Sequence, residues 1–185
     1  DGARALLAGE PGFPAAGDAR PSAFKAAVDV FLPSFGDAPW AVELVGDDDL
    51  SVRGNRQDNA IVGNAGDNLL DGRAGSDTLF GGEGADVFRF GTPGERGSDL
   101  LTDFDPAEDT ILLGSGAFGD LAYGPLSPDA FATGAAAADA SDRVVYDPAT
   151  GALAFDADGA GGAEAVALAT LPAGLALNAD DILVG

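Results

Sequence analysis

Between Gly54 and Phe90 the apolar positions of this chain fall on a nine-residue beat. Cut at that interval, the sequence reads GNRQDNAIV, GNAGDNLLD, GRAGSDTLF and GGEGADVFR, with Ile61, Leu70, Leu79 and Phe88 at position eight. Position one is always glycine (Gly54, Gly63, Gly72, Gly81), and position four is glycine in the last three copies (Gly66, Gly75, Gly84). Position six is Asn59, Asn68, Asp77 and Asp86. Four columns that hold phase over 36 residues form an internal repeat, and a period this short belongs to a stacked coil. Nine residues are too few for a pair of helices; they fit a tight turn of six followed by a strand of three. Position eight then points into a core between two stacked sheets. Two repeats close one coil of 18 residues, which sets Asn59 against Asp77 and Asn68 against Asp86. Val52 lies two residues before Gly54, where an earlier copy would carry its apolar residue, so the array starts there in degenerate form.

Outside the beat the pattern changes. Residues 1–21 are rich in Ala, Gly and Pro and read as a linker. Ser22 caps a predicted short helix in which Phe24, Ala27, Val28, Phe31 and Leu32 share a face, and Pro33 stops it. Trp40–Val45 reads as a strand. After Phe90, DLLTDFDPAEDTILL (Asp99–Leu113) predicts two apolar strands around an acidic turn at Asp105–Asp109. Ser127 and Pro128 suit the N-cap and first position of a short helix. From Arg143, RVVYD, ALAFD and EAVALATL, separated by the turns PATG and ADGAGG, alternate with period two and predict an antiparallel sheet. Ile182–Val184 is the last strand candidate. The expected fold is all-β: a parallel β-roll of nonapeptide repeats, then an antiparallel β cap, with a short N-terminal helix. The expected division is 1–44 for linker and helix at the end of an upstream domain, 45–98 for the roll, and 99–185 for the cap.

Composition narrows the chemistry. Thirty-one acids against nine bases give a net charge of −22, which repels nucleic acid and anionic membrane surfaces and favours a cation as partner. The imbalance is uneven: residues 99–185 carry 15 acids and one base, whereas 54–98 carry seven and four. Acidity alone therefore does not single out the repeats; spacing does. With no cysteine there is no disulfide frame and no thiolate metal site. With no histidine there is no Ser-His-Asp triad and no H-E-x-x-H zinc site. No apolar run is long enough to span a membrane, and the first 30 residues lack the basic-then-apolar pattern of a signal peptide. Because the chain starts at Asp1 rather than Met, further chain is expected upstream.

Glycines at positions one and four admit positive φ and let carbonyl oxygens turn inward, and position six supplies a side-chain oxygen. A gap between stacked coils lined in this way offers the roughly six to eight hard oxygens, in a flexible cage, that calcium takes. The alternative is a metal-free glycine ladder with stacked asparagines, which fits the first repeat best.

The repeats resemble the RTX (repeats-in-toxin, hemolysin-type) β-roll, whose unit is G-G-x-G-x-D-x-U-x. GGEGADVFR matches throughout, and GRAGSDTLF departs only at position two. The two earlier copies carry Asn for Asp at position six, and GNRQDNAIV also lacks the position-four glycine. The resemblance implies Ca2+ held between loops 18 residues apart. One loop gives the carbonyls of positions two and four with its position-six side chain. The other gives the carbonyls of positions one and three with its own position-six side chain. Carried over, one ion would take Asn55, Gln57 and Asn59 with Gly72, Ala74 and Asp77. A second would take Asn64, Gly66 and Asn68 with Gly81, Glu83 and Asp86. Further sites would pair Arg73, Gly75 and Asp77 with Glu95, and Gly82, Gly84 and Asp86 with Asp99 or Asp103.

The C-terminal half resembles the cap that follows the roll in serralysin-type and other type I-secreted bacterial proteins. In that group the C-terminal segment is an uncleaved export signal, often an acid followed by apolar residues, as in Asp181-Ile182-Leu183-Val184; Gly185 is one residue extra. The resemblance, over about 45–185, implies a calcium-binding module that is not itself an enzyme. It implies export by a type I (ABC-transporter) machinery and folding on calcium in the extracellular medium. Two alternatives remain: the tail of a secreted hydrolase (protease or lipase) with its catalytic domain upstream, and a calcium-dependent surface adhesin.

Three sharper motifs give way to plainer ones. DADG at Asp156–Gly159 opens like an EF-hand loop, but its twelfth position is Ala167, which cannot ligate, so a hairpin turn is preferred. GGEGAD lacks the lysine and helix of a phosphate loop. The pairs Asp103/Asp105 and Asp156/Asp158 have no sugar cleft around them and read as solvated turns.

Overall fold

The computed structural model describes residues 24–33, 41–94 and 97–185. The roll is built from short strands: β1 (Phe24–Ala26), β2 (Val30–Phe31), β3 (Ala41–Leu44), β4 (Ser51–Arg53) and β5 (Ala60–Val62). It continues through β6 (Leu69–Asp71), β7 (Thr78–Phe80), β8 (Val87–Phe90), β9 (Asp99–Leu101) and β10 (Thr110–Leu113). Odd-numbered strands stack in parallel in one sheet and even-numbered strands in the other. Within the repeats the register is 18 residues, Ile61 opposite Leu79 and Leu70 opposite Phe88, so each coil is two repeats as the spacing requires. Val52 pairs with Leu70, as expected of a degenerate earlier copy. All five of these side chains are buried, and full burial of one such residue contributes about 1.5–3 kcal/mol.

The stacking outlasts the sequence repeat. Leu101 lies opposite Leu79 and Ile111 opposite Phe88, although the turns between them have lengthened and the nine-residue beat has gone. Phe104 packs on Phe88 with ring centroids 5.8 Å apart. The C-terminal part adds β11 (Gly124–Pro125), β12 (Phe131–Thr133), β13 (Val144–Asp147), β14 (Ala152–Phe155), β15 (Val166–Thr170) and β16 (Ile182–Val184). β13, β14 and β15 are antiparallel, as the alternation predicts. β15 joins the odd-stranded sheet beside β9, and β16 joins the even-stranded sheet between β10 and β11. The cap is thus hydrogen-bonded directly onto the roll. Its own core centres on Tyr146, whose hydroxyl donates to the carbonyl of Pro172, and on Phe118 set edge-on to Phe155. A 3-10 turn, Pro128–Ala130, begins after Ser127 at the predicted place, and a second, Ala179–Asp181, leads into β16.

The predicted N-terminal helix is a correction. Where the structure describes this segment it forms β1 and β2 with a bend between them; Ser22 lies outside the described residues. Helical spacing would bury Val28 and Phe31 together, yet they are 65% and 70% exposed, and the buried residues are Ala26, Val30 and Leu32. Ala26 sits opposite Leu44 and Val30 opposite Val52. The open edges of β3 and β4 offer unpaired backbone groups, and satisfying them outweighs a weak local helix preference. The strand expected at Trp40–Val45 is β3; Trp40 itself lies outside the described residues.

Candidate metal centre

The six-residue turns stack along the two sides of the roll, and position six forms a column on each. On one side the Asn59 N–H donates to Asp77 Oδ1 at 2.6 Å, and the Asp77 N–H donates to Asp99 Oδ1 at 3.0 Å. On the other, the Asn68 N–H donates to Asp86 Oδ1 at 2.8 Å, and the Asp86 N–H donates to Asp109 Oδ1 at 3.0 Å. A second ladder at position five runs the opposite way, from the N–H of Ser76 to Asp58 and from that of Ala85 to Asp67. Each coil is therefore bonded to the next by side-chain oxygens as well as by strands.

The position-one glycines allow this stacking, though not for the reason expected. None of them has positive φ. A Cβ on Gly54 would strike the carbonyl oxygen of Gly72 and Asn59 Oδ1, and one on Gly63 would strike Gly81 O and Asn68 Oδ1. On Gly72 and Gly81 it would strike the Asp77 and Asp86 side chains of their own turns, so position one is glycine because the next coil or the turn's own position-six side chain leaves no room for a Cβ. Positive φ falls instead on Arg73 (70°), Gly75 (126°), Gly82 (114°) and Gly84 (102°), all in the last two repeats.

The four turns are of two kinds. In the first two, Asn55 and Asn64 at position two donate their N–H to Oδ1 of Asn59 and Asn68, at 3.0 and 2.8 Å. The position-six amides donate back to Oδ1 of Asn55 and Asn64, at 3.4 and 2.8 Å. These turns close on themselves. In the last two, Asp77 and Asp86 stand at position six. Oδ2 of each is buried and has no hydrogen-bond partner. Among the described residues the ion pairs join Lys25 with Glu43 and Arg53 and Arg89 with Asp71, and none involves Asp77 or Asp86. Burial, with the charge of Asp99 next, pushes Asp77 up to about 8 against the bond from Asn59. Burial, joined by Asp109 and Asp103 and opposed by the Asn68 N–H, pushes Asp86 up to about 7.

A buried carboxylate is normally paired or bound to a metal, and these two have no basic partner. Hard oxygens without nitrogen or sulfur donors suit calcium or magnesium rather than a transition metal. Among the described residues no three acidic side chains converge, so an ion here draws most of its ligands from backbone carbonyls.

The stacked turns bring Asn55, Gln57 and Asn59 against Gly72, Ala74 and Asp77: the Ala74 N–H donates to Asn55 O, and Gln57 O faces Gly75. They bring Asn64, Gly66 and Asn68 against Gly81, Gly82, Gly84 and Asp86, with Asn64 O facing Gly82 and Gly66 O facing Gly84. The Glu83 side chain is exposed. Asp99 joins the Asp77 column, whereas Asp103 accepts from the N–H groups of Gly81 and Gly82, both at 2.9 Å. Glu95 lies outside the described residues. Asp109 and the position-five acids Asp58 and Asp67 escaped the sequence reading. Asp109 did carry a signal. It precedes Ile111 by two residues, as Asp77 precedes Leu79, Asp86 precedes Phe88 and Asp99 precedes Leu101.

Among the described residues no helix is long and apolar enough to cross a membrane. No curated protein matches the chain. A similar solved structure is the solution structure of the AlgE6R3 subunit from the Azotobacter vinelandii mannuronan C5-epimerase. It is 27% identical, the match covers 75% of this chain and 80% of that one, and the TM-score is 0.38. Residues 53–88 match the RTX calcium-binding nonapeptide repeat in four copies. The stretch that forms the stacked turns is an RTX calcium-binding repeat array within a β-roll.

Proposed function

We propose that the chain is a calcium-loaded module that folds after export from a bacterial cell. The observation that carries the reading is the pair of buried, partnerless oxygens, Asp77 Oδ2 and Asp86 Oδ2, within calcium-type repeats. With calcium absent, burial of these acids and a net charge of −22 both oppose folding. Extracellular calcium modules bind in the ~10⁻⁴–10⁻³ M range, far above cytosolic free calcium, so without it the chain is marginal, folded only in part and open enough to thread a channel. Outside, a tenfold excess of calcium over Kd adds about 1.4 kcal/mol per site. A few coupled sites tip a marginal domain.

Export runs through a type I transporter that reads the C-terminal segment, with Asp181 and the apolar residues after it as the signal. The roll, from β1 to β10, and the cap that follows it form the module. The module carries no chemistry of its own; it serves the folding and retention of whatever domain precedes it. Calorimetric titration of the chain with calcium tests the reading. Saturable binding accompanied by a rise in β-signal is the expected result, and no binding at millimolar calcium overturns it.

A further inference from the structure

We propose that the calcium ions of this chain sit one coil further toward the C-terminus than the repeat spacing implies: between Asp77 and Asp99, and between Asp86 and Asp109. The inference rests on the calcium reading above and concerns where the ions lie.

The two kinds of turn decide the placement. In the Asn55–Asn59 and Asn64–Asn68 turns the position-six amides and the position-two N–H groups are already partnered within the turn, and the Asn55 and Asn64 amides donate to the carbonyls of Pro33 and Asp48. The Asn55 and Asn64 side chains also fold back on their own loops, Oδ1 accepting the N–H of Gln57 at 2.8 Å and of Gly66 at 3.0 Å. Such a turn is finished by hydrogen bonds and contributes no charge to a cation. The Asp77 and Asp86 turns lack the position-two bond, have positive φ at Arg73 and Gly82, and leave Oδ2 buried and bare.

Each open carboxylate has an asparagine on its N-terminal side and an aspartate on its C-terminal side. Asp99 and Asp109 take the next step of the position-six columns although they lie beyond residues 53–88. A divalent ion is matched by the two carboxylates of Asp77 and Asp99, or of Asp86 and Asp109, whereas either asparagine-side gap holds only one. Asp103, bonded to the N–H groups of Gly81 and Gly82, braces the turn that holds Asp86. The asparagine coil then acts as a metal-free base on which the loaded coil is laid down.

Asp99→Asn and Asp109→Asn keep Oδ1, and with it the bond from the turn below, while removing one charge from each gap. Calorimetric titration with calcium should show each variant weakening a binding step by about tenfold or more, since ligand charge sets calcium affinity. Asn59→Ser and Asn68→Ser remove no charge from either gap and should shift the calcium isotherm much less than the aspartate variants do. Far-UV circular dichroism at saturating calcium establishes that each variant folds. For any that does not, the wild-type chain decides: hydrogen exchange at half-saturating calcium should protect 72–110 before 54–71. Protection of 54–71 first, or an isotherm moved by the asparagine variants and not by the aspartate variants, overturns the placement while calcium binding stands. A wild-type chain that binds no calcium overturns the function reading and this inference together.

Discussion

The Asn59 N–H reaches across one coil to Asp77 Oδ1 at 2.6 Å, while Oδ2 of the same carboxylate is buried without a partner. One oxygen thus ties two coils together and the other is free for a cation. Structure and ligand binding meet in a single side chain, so calcium should order the stack rather than decorate it. Far-UV circular dichroism should show β-signal rising with low millimolar calcium and not with the same concentration of magnesium. The smaller ion requires compact octahedral geometry and keeps its waters, which a cage built largely of backbone carbonyls does not suit. Full β-signal in chelator would remove the calcium gate.

The calcium-free chain should be more stable in acid than at neutral pH. Asp77 and Asp86 have folded values pushed up to about 8 and about 7 from an ordinary 3.8. Asp99, Asp58 and Asp71 bear on the first, and Asp109, Asp103 and Asp67 on the second. A raised folded value means the native state binds protons more tightly than the unfolded one. Its contribution is complete below pH 4 and is lost as pH climbs through 7 to 8. Melting in chelator at pH 5 and pH 8 should give the higher Tm at pH 5, and saturating calcium should shrink or reverse the difference. A higher Tm at pH 8 in chelator would contradict the burial of these acids.

Gly63→Ala should be among the most damaging single substitutions in the roll. Its Cβ would enter the space of Gly81 O, a backbone atom fixed by the stack, and of Asn68 Oδ1. We expect a loss of about 2–4 kcal/mol, the range of severe overpacking. Gly162→Ala, with nothing within 4 Å of the added carbon, is the control and should stay within about 0.5 kcal/mol. Thermal melts at saturating calcium compare them; equal effects would mean the coils are further apart than described here.

Much of this was legible in the repeats because a fixed period forces register: once Ile61, Leu70, Leu79 and Phe88 face one core, the 18-residue coil and the pairing of Asn59 with Asp77 follow. Beyond Phe90 the turns lengthen, the period vanishes, and only the Asp-x-apolar step into each strand survives, which is how Asp109 was missed. The segment before the repeats misled for another reason. Phe24, Ala27, Val28, Phe31 and Leu32 do make a helical stripe, but the open edges of β3 and β4 claim that segment as strands, and an edge in need of a partner leaves no trace in local periodicity. The position-one glycines were placed correctly and explained wrongly, since contact with a neighbouring coil, at Gly54 and Gly63, or with the turn's own carboxylate, at Gly72 and Gly81, is invisible to a residue-by-residue reading of φ.

The last prediction concerns Asn68→Asp, a change toward the repeat consensus. In the closed turn Asn68 Nδ2 donates to Asn64 Oδ1 at 2.8 Å, and Asn68 Oδ1 accepts from the Asn64 N–H at 2.8 Å. A carboxylate keeps the second bond and turns the first into two oxygens facing each other in a buried site. It also adds a charge beside Asp86, whose proton affinity is already raised. In chelator the variant should lose about 1–3 kcal/mol, the cost of a buried polar group left without its partner. With calcium the balance shifts, because two carboxylates then flank the gap between the Asn68 and Asp86 turns and an ion can enter it. The variant should melt below wild type in chelator and regain most or all of that deficit at saturating calcium. Urea unfolding at constant pH, with and without calcium, measures both differences. A variant as stable as wild type in chelator would mean that the Asn64–Asn68 bond contributes nothing, and that the distinction between closed and open turns is not energetic.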